Sequence, residues 1–173
     1  MKGEVVVNTK VFYRGNGETV TYDEMMKLIA NYISRNINYE YEITVGTDSQ
    51  NHNKTKMVEV IAIHCVGHGG IFFYRTEHIR KIKALKEKII EETSRSLENA
   101  QGLLDEVGLY LLEDGIDIDE LNIHFKIHCD IGHYGKTSSL IKEIVSWVHS
   151  CGYEAVIKPD SYAASGIANK ISK

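Results

Sequence analysis

Tyr41-Glu42-Ile43-Thr44-Val45-Gly46-Thr47-Asp48-Ser49-Gln50 is the stretch that decides the fold. Tyr41, Ile43, Val45 and Thr47 alternate with Glu42, Thr44, Gly46 and Asp48, the period of two that a strand requires, so Asp48 is expected to close a strand. A second run repeats the design: Leu121, Ile123, Phe125, Ile127 and Cys129 alternate with Asn122, His124, Lys126, His128 and Asp130. If these strands lie parallel and adjacent, their terminal aspartates are about 5 Å apart and point the same way. Two such charges repel unless a cation or a shared proton lies between them.

Outward from that pair, the chain supplies a frame. Val5 to Tyr13 has strand character, and Arg14-Gly15-Asn16-Gly17 is a turn signal. Thr21-Tyr22-Asp23-Glu24 fits a capping box, opening a helix with Met26, Ile29, Ala30 and Ile33 on its apolar stripe. After the first aspartate strand, Lys56 to Val66 and Ile71 to His78 read as an antiparallel hairpin joined at Gly67-His68-Gly69-Gly70. A long helix is expected from Ile79, weakened at Gly102 and Gly108. In it Glu92 falls in phase with Ile82, Leu85, Ile89, Ser96, Ala100, Leu103 and Val107, whereas Glu91 shares the solvent side with Glu87, Lys88, Arg95 and Glu98. An acid in a packing face needs a reason. Beyond Asp130, Thr137 or Ser138 is expected to cap a helix carrying Leu140, Ile141, Ile144, Val145 and Val148, followed by a short strand from Tyr153 to Ile157. Lys158-Pro159-Asp160 then leads into a last helix with Ala164, Ile167, Ala168 and Ile171 on a small-residue face.

The chain of 173 residues fits one domain, with residues 1–40 as an addition to a core over 41–173. Hydrophobic residues make up 43% and charged residues 25%, no segment is apolar for long enough to cross a bilayer, and the first residues do not read as a secretory signal. Three cysteines, two of them inside apparent strands, suggest reduced thiols and a cytoplasmic protein. A net charge of −4 argues against binding nucleic acid by bulk electrostatics, but carboxylates gathered around divalent cations are neutralised locally.

The order strand, hairpin, helix, strand, helix, strand, helix, with acids at Asp48, Glu92, Asp130 and Asp160, resembles the ribonuclease H-like superfamily, and more closely its uncharacterised bacterial YkuK-type proteins. The resemblance runs from about Tyr41 to the end of the chain. It is carried by Val45-Gly46-Thr47-Asp48-Ser49-Gln50, Glu91-Glu92-Thr93-Ser94 and Ile157-Lys158-Pro159-Asp160-Ser161-Tyr162-Ala163-Ala164-Ser165. It implies an α/β three-layer fold with a five-stranded mixed sheet flanked by helices. It also implies that Asp48, Glu92, Asp130 and Asp160 bind two Mg²⁺ or Mn²⁺ ions and that the protein is a nuclease acting on DNA, RNA or a hybrid. Hard divalent ions take oxygen ligands and can serve an in-line displacement by water, so no nucleophilic side chain is called for. Lys136, Lys158 and Arg80 are the candidate contacts to substrate phosphate.

Other readings of the same residues are open at this stage. A non-catalytic nucleic-acid- or protein-binding module on the same fold predicts the same elements with weak metal affinity. Glu92 can instead pair with Lys126, and Asp160 can serve only as a helix cap. Gly132-His133-Tyr134-Gly135-Lys136-Thr137 follows a strand but has two residues between its glycines where a phosphate loop needs four. His64, Cys65, His68, His128, Cys129 and His133 contain no Cys-x-x-Cys pair of the kind zinc sites use. Arg75, His78, Arg80, Lys81, Lys83, Lys86 and Lys88 form the one basic cluster, either a solvated face or a backbone contact for nucleic acid.

Overall fold

The computed structural model describes residues 7–161 and residue 166. The expected last helix, with Ala164, Ile167, Ala168 and Ile171, lies outside the described residues, as do Val5 and Val6.

Two short strands, β1 (Val11–Arg14) and β2 (Thr19–Thr21), form a hairpin whose turn uses Gly17 at φ +86°. Helix α1 (Tyr22–Ser34) follows at once, and its capping box is complete: the Glu24 amide donates to Thr21 Oγ1 at 3.1 Å and the Thr21 amide to Glu24 Oε2 at 2.8 Å. Strands β3 (Tyr41–Asn51), β4 (Thr55–Cys65) and β5 (Gly70–Ile79) make an antiparallel meander. Then come helix α2 (Leu85–Glu113), strand β6 (Ile123–His128), helix α3 (Ile141–Ser150) and strand β7 (Glu154–Val156).

The sheet has seven strands in the order β2-β1-β5-β4-β3-β6-β7, not the five expected. The two extra strands come from the N-terminal addition, because β1 pairs with the free edge of β5 through Tyr13↔Tyr74 and Arg14↔Phe73. At three residues β2 is too short to show a period, and its last residue, Thr21, doubles as the cap of α1. Phe12 is fully buried, so the addition belongs to the same core as the rest. That core joins Met25, Met26, Ile29 and Ile33 of α1 and Ile89, Ala100, Leu103 and Val107 of α2 to Ile144 and Val148 of α3. From the sheet it takes Ile43, Val45, Ile61, Ile63 and Ile127.

Helix α2 differs from expectation at both ends of its first half. It starts at Leu85 rather than Ile79, because Ile79 still pairs with Thr55 in the sheet. Ile82 imitates helical spacing but is held in the connection: its amide donates to Thr55 Oγ1 at 2.9 Å and its carbonyl accepts from Asn51 Nδ2 at 2.9 Å. Farther on, the helix runs through Gly102 and Gly108 unbroken for 29 residues, roughly 44 Å. Gly102 is where α1 crosses closest, since a Cβ there would overlap the Tyr22 hydroxyl. The two helices are also joined by the hydrogen bond from the Tyr110 hydroxyl to Asp23.

Thr137 does not cap α3. Its Oγ1 accepts the Gly132 amide at 3.2 Å, tying down the loop after β6, and a short 3₁₀ turn, Ser138–Leu140, leads into the helix. Lys126 donates to Glu42 Oε1 at 2.8 Å, so its ammonium belongs to the sheet surface and not to Glu92.

One cluster went unread in the sequence. Glu59 of β4 is fully buried between the sheet and α2, where its carboxylate accepts from Arg75 at 2.6 Å, Asn99 at 2.8 Å and Arg95 at 3.4 Å. Arg95 also donates to Glu77 at 2.7 Å and to Glu91 at 2.8 Å. Of the residues assigned to the solvent side, Arg95 thus reaches a buried charge while Glu91 accepts from it, and Arg75 of the basic cluster is held by the same buried charge. Removing one member of such a network strands the others. Glu59→Ala is therefore expected to lower unfolding stability by about 3–5 kcal/mol, measured by urea denaturation, whereas Glu87→Ala on the exposed Arg80 pair should change it by less than about 1 kcal/mol.

Candidate functional site

Strands β3 and β6 pair in parallel from Tyr41↔Ile123 to Gly46↔His128. The parallel ladder stops there, two residues short of Asp48 on β3 and of Asp130 beyond β6, and the Asp130 charge is close enough to act on the Asp48 carboxyl. Asp48 does not close its strand as expected. β3 continues to Asn51 because β4 keeps pairing with it through Asn51↔Thr55, and Asp48 itself stands opposite Val58. It is β6 that ends, at His128, leaving Asp130 on the segment that departs from the sheet. Asp48 is half-buried, and its Oδ1 accepts the Ser49 amide at 2.9 Å.

Glu92 reaches the same region from α2, almost fully buried. The Ser49 hydroxyl donates to Glu92 Oε1 at 2.5 Å, and two residues back along the strand Thr47 Oγ1 meets Ser96 Oγ at 2.8 Å. Two residues of strand advance about 7 Å and four residues of helix about 6 Å, so the two contacts lock α2 in antiparallel register on β3. That lock explains why an acid occupies the packing face.

Lys158 completes the cluster. The chain leaving β6 runs beside the chain leaving β7: the Cys129 amide donates to the Val156 carbonyl and the Lys158 amide to the Ile131 carbonyl, each at 2.8 Å. Gly132 permits the approach, since a Cβ there would lie 3.1 Å from Lys158 Cβ. Lys158 Nζ consequently sits 2.8 Å from Asp130 Oδ1.

The electrostatics follow from this crowding. Burial pushes the Glu92 carboxyl up to about 8; the Ser49 hydroxyl and Lys88 oppose the rise, while Asp48 and Asp130 add to it. Asp48 is raised by burial and then by the Asp130 charge, against the Ser49 amide, Lys88 and Lys158. Burial also pushes the Cys129 thiol up to about 12, with the Glu92 charge adding to it, and pulls His128 down to about 4. The thiol and the imidazole are therefore uncharged neighbours.

The remaining candidates are placed differently. Asp160 is exposed in the turn after β7, its amide donating to the Ile157 carbonyl at 3.0 Å; beside it the Ser161 hydroxyl is buried with no hydrogen-bond partner among the described residues. Lys136 is exposed in the loop after β6. Arg80 is exposed before α2 and paired with Glu87 at 2.8 Å. Ser49 and Lys88 were missed as site residues. The i,i+4 spacing of Lys88 and Glu92 was the available signal for one, and the inward phase of Ser49 for the other.

Among the described residues no three His, Cys, Asp or Glu side chains form a ready metal-ligand group. The donor chemistry nevertheless fits a hard divalent cation: the groups are carboxylates, burial and the Asp130 charge raise Asp48, and a cation, the Lys158 ammonium, already sits on Asp130. Cys65 and Cys129 are buried free thiols, on β4 and just beyond β6.

Because Glu92 in the fold holds its proton up to about 8 against an ordinary 4.5, the folded state binds more protons than the unfolded state between those values. Stability should fall as pH rises through that window. In EDTA the melting temperature is expected to drop between pH 6 and pH 9, and Glu92→Gln, which cannot ionise, should flatten the drop; an equal drop in the variant would assign it elsewhere.

Comparison with known proteins agrees with the topology. The family model described as Ribonuclease H-like matches residues 24–173. The uncharacterised protein YkuK of Bacillus subtilis (strain 168) is 32% identical over 172 residues, covering 94% of this chain and 97% of that protein. No solved structure matches the chain. With a mixed sheet flanked by helices and a match over most of its length, the chain belongs to the ribonuclease H-like family and, within it, to the YkuK type.

Proposed function

We propose that the protein is a divalent-metal-dependent nuclease that hydrolyses phosphodiester bonds in nucleic acid. The observation that carries this reading is the juxtaposition of Asp48 and Asp130 at the end of the β3–β6 ladder, with buried Glu92 fixed beside them by Ser49. A structural role alone does not account for two raised carboxyls side by side, Asp48 lifted by burial and the Asp130 charge, and Glu92 by burial and the charges of both aspartates.

Asp48 and Asp130 would hold the ions between them, and Glu92 and Asp160 would complete the ligand set. Bound there, two Mg²⁺ or Mn²⁺ ions would supply positive charge to the attacking and leaving oxygens of an in-line displacement by water. The protein's own groups do the rest. Ser49 holds Glu92 in one orientation, and the register of β3 on β6 fixes the aspartates. Lys158, whose ammonium lies 2.8 Å from Asp130 Oδ1, would be placed to bind a substrate phosphate beside the acids. Lys136 and Arg80, both exposed, are further phosphate contacts on this reading. No helix among the described residues is long and apolar enough to cross a membrane.

The test is Mn²⁺ calorimetry with a cleavage screen over single- and double-stranded DNA, RNA and hybrids. Asp48→Asn and Asp130→Asn should each cut metal affinity and cleavage at least about 100-fold, beyond the loss typical of groups that merely orient a ligand. Asp48→Asn should melt at or above the parent in EDTA, because a mutually repelled charge is removed. Cleavage at the parent's rate by either variant would refute the assignment.

A further inference from the structure

Tyr134 is 95% exposed, the most exposed large hydrophobic residue described. It sits in the loop after β6, between Gly132 and Gly135, the latter at φ +87°. Gly132, His133 and Tyr134 form one side of a cleft of ≈ 280 Å³, and Lys158 and Pro159 form the other. Its walls are largely apolar. Lys158 therefore borders this cleft and at the same time bonds to Asp130.

We propose that this cleft seats an unpaired nucleobase, stacked on Tyr134, of the nucleotide next to the phosphate held at the carboxylates. The proposal deepens the nuclease reading and rests on it, and it names the substrate class as single-stranded nucleic acid or an unpaired end. Three observations converge. A flat ring presented to water on a glycine-flanked loop is the surface on which bases stack regardless of sequence. Pro159 and Lys158 line the same largely apolar cleft as Tyr134, and the Lys158 ammonium is 2.8 Å from Asp130 Oδ1, so a phosphate attached to a base seated there would meet it. Finally, a chain of net charge −4 cannot draw its affinity from bulk attraction to phosphates, so contacts to the bases must contribute. A base inside a duplex is already stacked on both faces and has to be extruded before it can enter.

Binding is measured on the full chain in Ca²⁺ buffer, with intact strands verified by gel. The probes are 12-nucleotide single strands of DNA and of RNA, each with one 2-aminopurine whose fluorescence reports stacking, and the corresponding duplexes. Single strands should bind with quenching. Tyr134→Ala should weaken binding roughly 10-fold and remove the quenching, Tyr134→Phe should keep both, and duplexes should bind at least about 10-fold more weakly. The exposure of Tyr134 makes these variants safe for folding, which circular dichroism verifies. Whichever strand, DNA or RNA, binds more tightly identifies the preferred sugar. Equal binding by Tyr134→Ala, equal binding of duplex, or no binding of single strands overturns the base seat. Cleavage of the same strands in Mn²⁺ is scored separately: a parent that cuts while Tyr134→Ala binds and cuts equally well loses the base seat and keeps the nuclease reading. A parent that cuts no strand, single or paired, loses the nuclease reading.

Discussion

Carboxylates crowd the region where the β3–β6 ladder ends, inside the sheet and not at its edge, and the groups near them offset that crowding. Asp48 and Asp130 each follow the last pair of the parallel β3–β6 ladder by two residues, and Glu92 arrives because α2 is locked antiparallel on β3. Beyond the effect of burial, the Asp130 charge makes Asp48 harder to ionise, and both aspartates make Glu92 harder to ionise. The fold offsets this with Lys158 on Asp130, Lys88 one helical turn from Glu92, and two donors from Ser49. A protein with no use for the cluster would be more stable without it, since uncharged residues of similar size need none of these partners.

A second buried charge shows the contrast. Glu59 lies on the same strand-to-helix interface, yet two arginines and Asn99 saturate its oxygens. No ligand is needed there, and the network stitches β4 and β5 to α2. The Asp48–Asp130–Glu92 group is under-compensated by comparison. The difference between the two sites is the physical basis for assigning chemistry to one and structure to the other.

Much of this was legible in the sequence because period alone distinguishes a strand from a helix. The alternation in Tyr41–Gln50 and Leu121–Asp130 put both aspartates on corresponding phases, and the helical phase of Glu92 marked it as buried. What failed was of two kinds. Boundaries failed where a side-chain hydrogen bond mimicked an element, as at Ile82, or where a partner strand prolonged one, as at Asp48. Long-range pairing also failed: nothing local says that the N-terminal hairpin docks on β5, or that Arg75 and Arg95 converge on Glu59. The basic cluster looked uniform in sequence but disperses in space, with Arg75 buried in that network, Arg80 on Glu87 and Lys86 on Glu143.

That dispersal bears on how an acidic chain holds a polyanion. With Arg75, Arg80 and Lys86 each engaged by an acid elsewhere, the positive charges that act on Asp48 are Lys88 and Lys158. Two lysines neutralise too little of a nucleic-acid backbone to bind it strongly at physiological salt, and the carboxylates repel it. On the proposed reading, affinity therefore depends on the metal ions reversing the sign of the local field and on contacts that ignore charge. The loop after β6 is positioned to supply the second, because the hydrogen bonds that bring Lys158 to Asp130 also set Pro159 across from Tyr134. The same backbone pairing thus organises both the charged and the apolar half of the site.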